Sequence, residues 1–256
     1  MPDRRFVLAT GALASAALCA PFGTALAQGR KDAVTLGMTL EPPGLDPTAG
    51  AASAIGEIVL YNVLEPLTKI NADGSVSPLL AESWEVSPDL KTTTFRLRRG
   101  VKFQNGEPFN AAAVKFSFDR AGSDKSTNKD KRTFATLSTQ VVDDHTVVVL
   151  NQDIEPDLLF LLGQATAVIV EPKSVATNAT RPVGTGPYQL GNWSRGASIT
   201  LTAWPGYRAA GGIKIRRAVF RFIPDAAAQV AALLAGDVDD FPRITPRSVA
   251  QFKGNP

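Results

Sequence analysis

The sequence predicts an α/β fold on three observations. Segments with strand periodicity and segments with helix periodicity take turns from residue 33 to residue 241. The stretch from Lys214 to Phe241 holds a strand, a helix and a second short strand at the spacing of a βαβ unit, which implies parallel pairing in a covered sheet. The composition is globular: 256 residues, 44% apolar and 20% charged, with Gly 21 and Pro 18 too few for a disordered or collagen-like chain.

The first thirty residues serve as an address. Arg4-Arg5 precede Phe6-Val7-Leu8 and an Ala-rich run that carries no charge up to Gly29. Ala25-Leu26-Ala27 then supplies the small-x-small pattern of a signal-peptidase site. Residues 1–27 are therefore expected to be a signal peptide, cleaved near Ala27, that sends the chain to the periplasm. The paired arginines fit the twin-arginine route, with an ordinary secretory signal as the alternative. Pro21, the glycines and the abundance of Ala argue against a transmembrane anchor. Cys19 follows the bulky Leu18, a poor fit to a lipoprotein site, and leaves with the signal. The mature chain, 28–256, then has no cysteine and no disulfide.

In the mature chain, Ala33 to Thr39 (AVTLGMT) is an apolar strand, and the three prolines of Glu41 to Pro47 enforce an irregular loop. Ser53 caps a predicted helix to about Leu64, stopped by Pro66, and Asn71 to Gly74 turn between two short strands. Leu79 to Val86 (LLAESWEV) has the spacing of one or two helical turns. Thr92 to Arg98 alternates as a half-buried strand with Thr93, Phe95 and Leu97 inward. Asn105-Gly106 is a tight turn, and Asn110 caps a helix whose Val114, Phe118 and Ala121 share one face. Ser123 to Arg132 has no apolar residue and is expected to be a solvated loop. A hairpin follows over Gln140 to Asp144 and Thr146 to Leu150, then a helical Asp157 to Leu162 and an apolar strand Ala165 to Val170. Strands are expected at Tyr188 to Trp193, Ser198 to Trp204 and Lys214 to Ile223. Asp225 caps a helix with Val230, Leu233 and Leu234 buried and Gly236 at its end, before a short strand Asp237 to Phe241.

Candidate chemistry is sparse. With one His and one Cys, a His-based or Cys-cluster zinc site is excluded within the chain, and a Ser-His-Asp triad would have to use His145, which falls at a hairpin turn. A net charge of +3 gives no electrostatic reason for a nucleic-acid partner. Gly184-Thr-Gly-Pro-Tyr188 lacks a third glycine, and Pro187 removes an N–H that a phosphate cradle would need. Glu41 with Asp46, and Asp237 with Asp239 and Asp240, are too weakly clustered for paired-carboxylate or cation chemistry. Trp84, Trp193 and Trp204 are expected to pack. The chain is expected to be no enzyme and to carry no cofactor.

Five segments, taken in order, resemble the extracytoplasmic solute-binding proteins, family 5, of peptide-type ATP-driven importers, which include dipeptide, oligopeptide and nickel binders. They are LEPPGLDPT at 40–48, YNVLEPLTKINADGSVSPLLAESWEVSPD at 61–89, TFRLRRGVKFQNGEPFNAAAVKFSFDR at 94–120, RPVGTGPYQL at 181–190 and VFRFIPDAAAQVAALLAGDVDDF at 219–241. The resemblance implies a periplasmic binding protein-like type II fold: two α/β lobes joined by a hinge, closing on a ligand. It implies a first lobe here, with an inserted subdomain over about 62–179 and a second lobe beyond the present residues. It places Glu41, Pro42, Pro43 and Gly44 on a loop facing the cleft, with Phe241 and Arg243 near the hinge mouth. The implied partners are a peptide or other small-molecule ligand and the permease subunits of an ABC importer. The ligand stays open among peptides, nickel complexes, haem and sugars. A non-binding fragment of such a protein is an alternative reading, and a secreted hydrolase, poor in nucleophile motifs, is another.

Overall fold

The computed structural model describes residues 32–252, so the expected signal peptide, with Arg4, Arg5 and Cys19, lies outside the described residues. The chain begins with strand β1 (Ala33–Met38), the Pro-rich loop and helix α1 (Ser53–Val59). Ser53 is the first helical residue rather than the cap, and α1 ends five residues earlier than Leu64. The cause is tertiary. Tyr61 takes φ 60°, a left-handed conformation that costs a side chain about 1–2 kcal/mol. Its hydroxyl is fixed by donating to the Gly163 carbonyl at 2.6 Å and accepting from the Ile70 N–H at 2.9 Å.

Strands β2 (Thr68–Ile70) and β3 (Val76–Pro78) form the expected hairpin about Gly74, followed by β4 (Ala81–Val86) and β5 (Thr92–Leu97). The helical turns expected at 79–86 are thus a strand. A bulge between Ala81 and Ser83 shifts the register against β5, so Ala81 and Trp84, three apart, both meet the core. That spacing imitates a helix. Helix α2 (Ala111–Gly122) is capped as expected, the Asn110 side chain accepting from the Ala113 N–H at 3.0 Å. In the loop that follows, Asn128 is 5% exposed and donates to the Thr166 carbonyl at 2.8 Å, so this stretch is not wholly solvated. Helix α3 (Lys131–Thr136) is absent from the sequence pattern; Phe134 anchors it against Phe118, ring centroids 5.4 Å apart.

Strands β6 (Leu137–Asp143) and β7 (Thr146–Asn151) form the second hairpin, and α4 (Leu158–Leu161) follows. The strand expected at 165–170 is a 3-10 turn followed by an extended run without a ladder. Ala167 and Ile169 enter one core, Val168 and Val170 the other. This segment divides two cores while its N–H groups find single partners, Ile169 on the Glu65 carbonyl and Val170 on the Ser117 hydroxyl. Its two apolar faces read as a buried strand for that reason.

The chain closes with β8 (Tyr188–Ser194), β9 (Ser198–Ala203), β10 (Arg217–Phe222), α5 (Ala226–Leu234) and α6 (Pro246–Val249). Asp225 caps α5 by accepting from the Ala228 N–H at 2.8 Å. Gln229, Val230 and Ala232 are its buried residues, while Leu234 is 47% exposed, against the expected stripe. Gln229 takes a buried place because its amide donates to the Ile223 carbonyl at 2.8 Å.

Two four-stranded sheets organise these elements, in the orders β1-β10-β9-β8 and β4-β5-β7-β6. Strand β1 is parallel to β10, and the remaining ladders are antiparallel. The short strand expected at 237–241 is reduced to a parallel bridge, Leu36 to Asp240, on the far side of β1. The crossover through α5 therefore skips over β1 rather than joining neighbours. Under the first sheet lie Ile55, Ile58, Val63, Leu64, Ile199 and Phe220; under the second lie Phe95, Phe103, Phe109, Phe118 and Val147. Among the described residues no helix is long and apolar enough to cross a membrane.

Candidate functional site

Where β1 ends, its last residues meet the chain that follows the Asp240 bridge and the start of α1. A cavity of about 80 Å³ opens there, lined by Thr39, Leu40, Ser53, Glu57, Phe241 and Arg243 among others. In α/β sheets, ligands are received in such crevices at the carboxyl ends of parallel strands. Phe241 is 6% exposed, and its ring lies on Gly37 so closely that a Cβ there would fall 2.1 Å from ring carbons. Gly37 thus makes room for the cavity's aromatic floor. Arg243 pairs with Glu57 at 2.8 Å and is largely in solvent.

The loop residues Glu41 to Gly44 follow directly but do not line that cavity. The Glu41 carboxylate accepts from the Trp193 indole N–H at 2.8 Å and the Gly196 N–H at 2.9 Å, with Arg195 at 3.8 Å. The Arg195 guanidinium stacks 3.4 Å from the Trp193 ring centroid. Glu41 therefore clamps its loop to the β8–β9 turn. Pro42 is buried, Pro43 exposed, and Gly44 faces the Ala179 carbonyl, which also accepts from the Leu45 N–H at 2.9 Å. Asp46 is structural: 3% exposed, it pairs with Arg120 at 2.8 Å and accepts from Thr48. The six expected residues fall into two neighbouring groups, a cavity pair and a clamped rim, joined through Thr39 and Leu40.

The motifs at 61–66, 103–107 and 184–188 converge on one joint. The Gly186 and Tyr188 N–H groups donate to the Val63 and Asn62 carbonyls at 3.0 and 2.9 Å. The Gln104 amide donates to the Tyr188 carbonyl at 2.7 Å. Beside them Glu65, 1% exposed, accepts two hydrogen bonds from Arg208 at 2.7 and 2.8 Å and one from the Thr185 hydroxyl at 2.8 Å. Burial alone would lower the Arg208 pKa; the hydrogen bonds and charge of Glu65 outweigh it and hold it above its ordinary value. Sequence reasoning missed this pair and Glu57. The signal for both was a carboxylate inside an apolar run, IGEIV for Glu57 and NVLEPL for Glu65.

His145 sits in the β6–β7 turn, half-buried, its N–H donating to the Asp143 carboxylate at 2.7 Å. Of the three aspartates near 239, Asp237 pairs with Arg221 at 3.5 Å, Asp239 accepts from the Thr35 N–H at 2.7 Å, and the Asp240 carbonyl accepts from the Gly37 N–H at 2.8 Å. Trp84 and Trp193 pack at the margins of the two cores.

The family model of bacterial extracellular solute-binding proteins, family 5 Middle, matches residues 75–256. A glutathione-binding protein of Salmonella choleraesuis is 35% identical over 199 residues, covering 75% of this chain and 38% of its own length. A putative ABC transporter peptide-binding protein of Brucella ovis is 28% identical over 258 residues, covering 95% of this chain and 48% of its own. Among solved structures, the PBP AgaA of A. tumefaciens R10 in complex with agropinic acid superposes with a TM-score of 0.81 at 29% identity, over 87% of this chain and 46% of that one. Haemophilus influenzae OppA in complex with RPPGFSPFR gives 0.77 at 26% identity, over 87% and 48%. The present chain thus spans about half the length of these relatives or less, and its described part has the α/β fold of one lobe of a periplasmic binding protein of type II. Family description, aligned relatives and shared fold agree that the chain belongs to the bacterial extracellular solute-binding proteins, family 5.

Proposed function

We propose that the chain belongs to the substrate-binding component of an ABC-type importer, which captures peptides or related small solutes in the periplasm and passes them to the permease. The observation that carries this reading is the cavity at the carboxyl end of β1, where Phe241 and Arg243 meet Thr39, Leu40 and Glu57. Phe241 offers an apolar floor. The Arg243–Glu57 pair offers one charge of each sign, as a peptide's termini require. Glu41 to Gly44 act as the rim, held in place by Trp193 and Gly196. Residues from about 62 to 179 act as the inserted subdomain; the sheet β4-β5-β7-β6 and its core fall inside that span, while Val63, Leu64, Val168 and Val170 from its ends join the first core. The names of the relatives, glutathione-binding and peptide-binding, support a peptide-like ligand. The action is binding alone, without turnover. Residues 1–27 act as the export signal; if export takes the twin-arginine route, lysines in place of Arg4 and Arg5 are expected to retain the precursor in the cytoplasm, and unchanged export would instead mark an ordinary secretory signal.

Calorimetry with di- to pentapeptides tests the reading on two polypeptides: these 256 residues, and a chain extended to the relatives' length. A single wall leaves most of a ligand in water, so the 256 residues are expected to bind more weakly than about 1 μM, near −8 kcal/mol. The extended chain is expected to bind more tightly. Arg243→Ala and Glu41→Ala should each weaken it by roughly 1 kcal/mol or more, the scale of a lost charge-assisted hydrogen bond. Tight binding untouched by either change refutes the residue assignment, and an extended chain that binds no peptide refutes the function.

A further inference from the structure

Asn105 and Gly106 form the tip of a tight turn. The Gly106 N–H donates to the Phe103 carbonyl at 2.8 Å, and the Phe103 N–H donates to the Glu107 carbonyl at 2.8 Å. Both tip residues are exposed, and Gly106 takes φ 91° with nothing near its Cβ position. Of the asparagines in the sequence, Asn105 alone precedes a glycine. That matters chemically, because the next main-chain nitrogen reaches an asparagine amide carbon most readily when no side chain stands in the way. The Asn105 amide is held at both ends. Its Oδ1 accepts from the Glu107 N–H at 3.2 Å, and its Nδ2 donates to the Glu171 carboxylate at 3.0 Å. The first bond aims an N–H at the oxygen where negative charge gathers when the amide carbon is attacked. The second supports a buried anion: Glu171 is 2% exposed, and its other oxygen accepts from the Lys173 N–H at 2.9 Å.

We propose that Asn105 is a site of spontaneous covalent modification, deamidating through a cyclic imide with Gly106, and that the product loosens the joint held by Gln104. The Gly106 nitrogen gives up its proton and bonds to Asn105 Cγ. The Cγ–Nδ2 bond breaks, and ammonia departs with that proton. Water then opens the imide. Cleavage at Cγ leaves an aspartate in an ordinary chain, and cleavage at the main-chain carbonyl leaves an isoaspartate, with an extra carbon in the backbone. Because the Phe103 carbonyl holds the Gly106 N–H, the first step follows brief openings of the turn and quickens as pH rises. An aspartate here sets a carboxylate where Nδ2 stood, against the buried Glu171. Two such carboxylates do not both ionise without cost, so one takes a proton or the two separate. The adjoining Gln104 passes the disturbance on. Its N–H donates to the Gly184 carbonyl at 2.9 Å and its amide to the Tyr188 carbonyl at 2.7 Å, contacts that do not depend on any ligand.

Peptide mapping by mass spectrometry, on the folded 256-residue chain incubated at mildly alkaline pH, tests the site. Replacement of the amide NH2 by OH is expected at Asn105, in two chromatographic forms. It should run at least about tenfold faster there than at Asn71 or Asn110, which precede alanine. Asn105→Asp stands for the first product. At neutral pH its urea midpoint should fall below the parent's, and its Gly186 and Tyr188 amides should exchange sooner. The midpoints should converge as pH falls through the carboxylate range, because repulsion raises the folded pKa of the carboxylate pair and protonation removes the penalty. Conversion at Asn105 no faster than at Asn71 or Asn110 overturns the proposal. So does conversion confined to the chain unfolded in urea, which means that the turn protects the site. A midpoint and amide exchange in Asn105→Asp equal to the parent's at neutral pH overturn the effect on the joint.

Discussion

A Cβ on Gly184 would stand 1.9 Å from the Val63 carbonyl oxygen, and one on Gly186 would stand 2.4 Å from that of Asn62. Neither neighbour is a flexible side-chain tip, so Gly184→Ala should cost at least about 2–3 kcal/mol, read as a lower urea midpoint. Gly211, with nothing near its Cβ position, should accept alanine within roughly 0.5 kcal/mol. The glycines of Gly184-Thr-Gly-Pro-Tyr188 were visible from the sequence. Their actual reason was hidden, because the backbone they admit lies some 120 residues earlier, the separation of Thr185 from Glu65. Three turn aspartates give a second residue-scale expectation. Asp73 is held below the ordinary carboxylate range by the Ser75 hydroxyl, Asp89 by the Ser87 hydroxyl, and Asp143 by the His145 N–H. Their folded pKa values lie below the unfolded ones, so their stabilisation is present above the unfolded value of about 3.9 and fades as pH falls through the folded values. A variant with Asn at all three should lose less stability than the parent between neutral pH and about pH 3, compared by urea midpoints at both.

Among the elements, the joint at Glu65 should matter most. Glu65→Gln leaves Arg208 without its charge partner. Breaking a buried pair costs about 3–5 kcal/mol, and the 22% exposure of the Arg208 side chain puts this case near the lower end. Replacing both by methionine should recover part of that loss, and a double-mutant cycle on unfolding free energies measures the coupling. Additive losses would show that the two act separately. Elements governed by their own residues were legible in advance: β5 by alternation, α2 by the Asn110 cap, the β6–β7 hairpin by its turn. Where a distant partner intervened, the pattern misled. The bulge in β4 turned period two into period three, Tyr61 cut α1 short, and residues 165–170 served two cores with no ladder.

For the whole molecule, the composition and the 214–241 pattern foretold an α/β chain with parallel pairing, but not that β10 and residues 239–240 would flank β1. The resemblance led to Phe241 and Arg243; the Glu57 partner and the clamping of Glu41 by Trp193 depended on contacts that no local pattern encodes. Protection from hydrogen exchange should follow the layout of the sheets. Strands β5 and β7, each paired on both sides, should exchange last, and the Gly37 amide, held by the Asp240 carbonyl at a two-residue bridge, at least about tenfold sooner. Equal rates at both places would mean that the seam beside β1 opens only with the whole fold. That seam also sets a timetable. Thr35 bonds to Asp239, 204 residues further along the chain. At roughly 5–20 residues per second, a ribosome that has made β1 needs about ten to forty seconds more to make its partner. Until β10 has been made, for most of that interval, the apolar strand has no mate, so the nascent chain is open to a passing holdase, and the first sheet assembles late, after nearly two hundred further residues have been added.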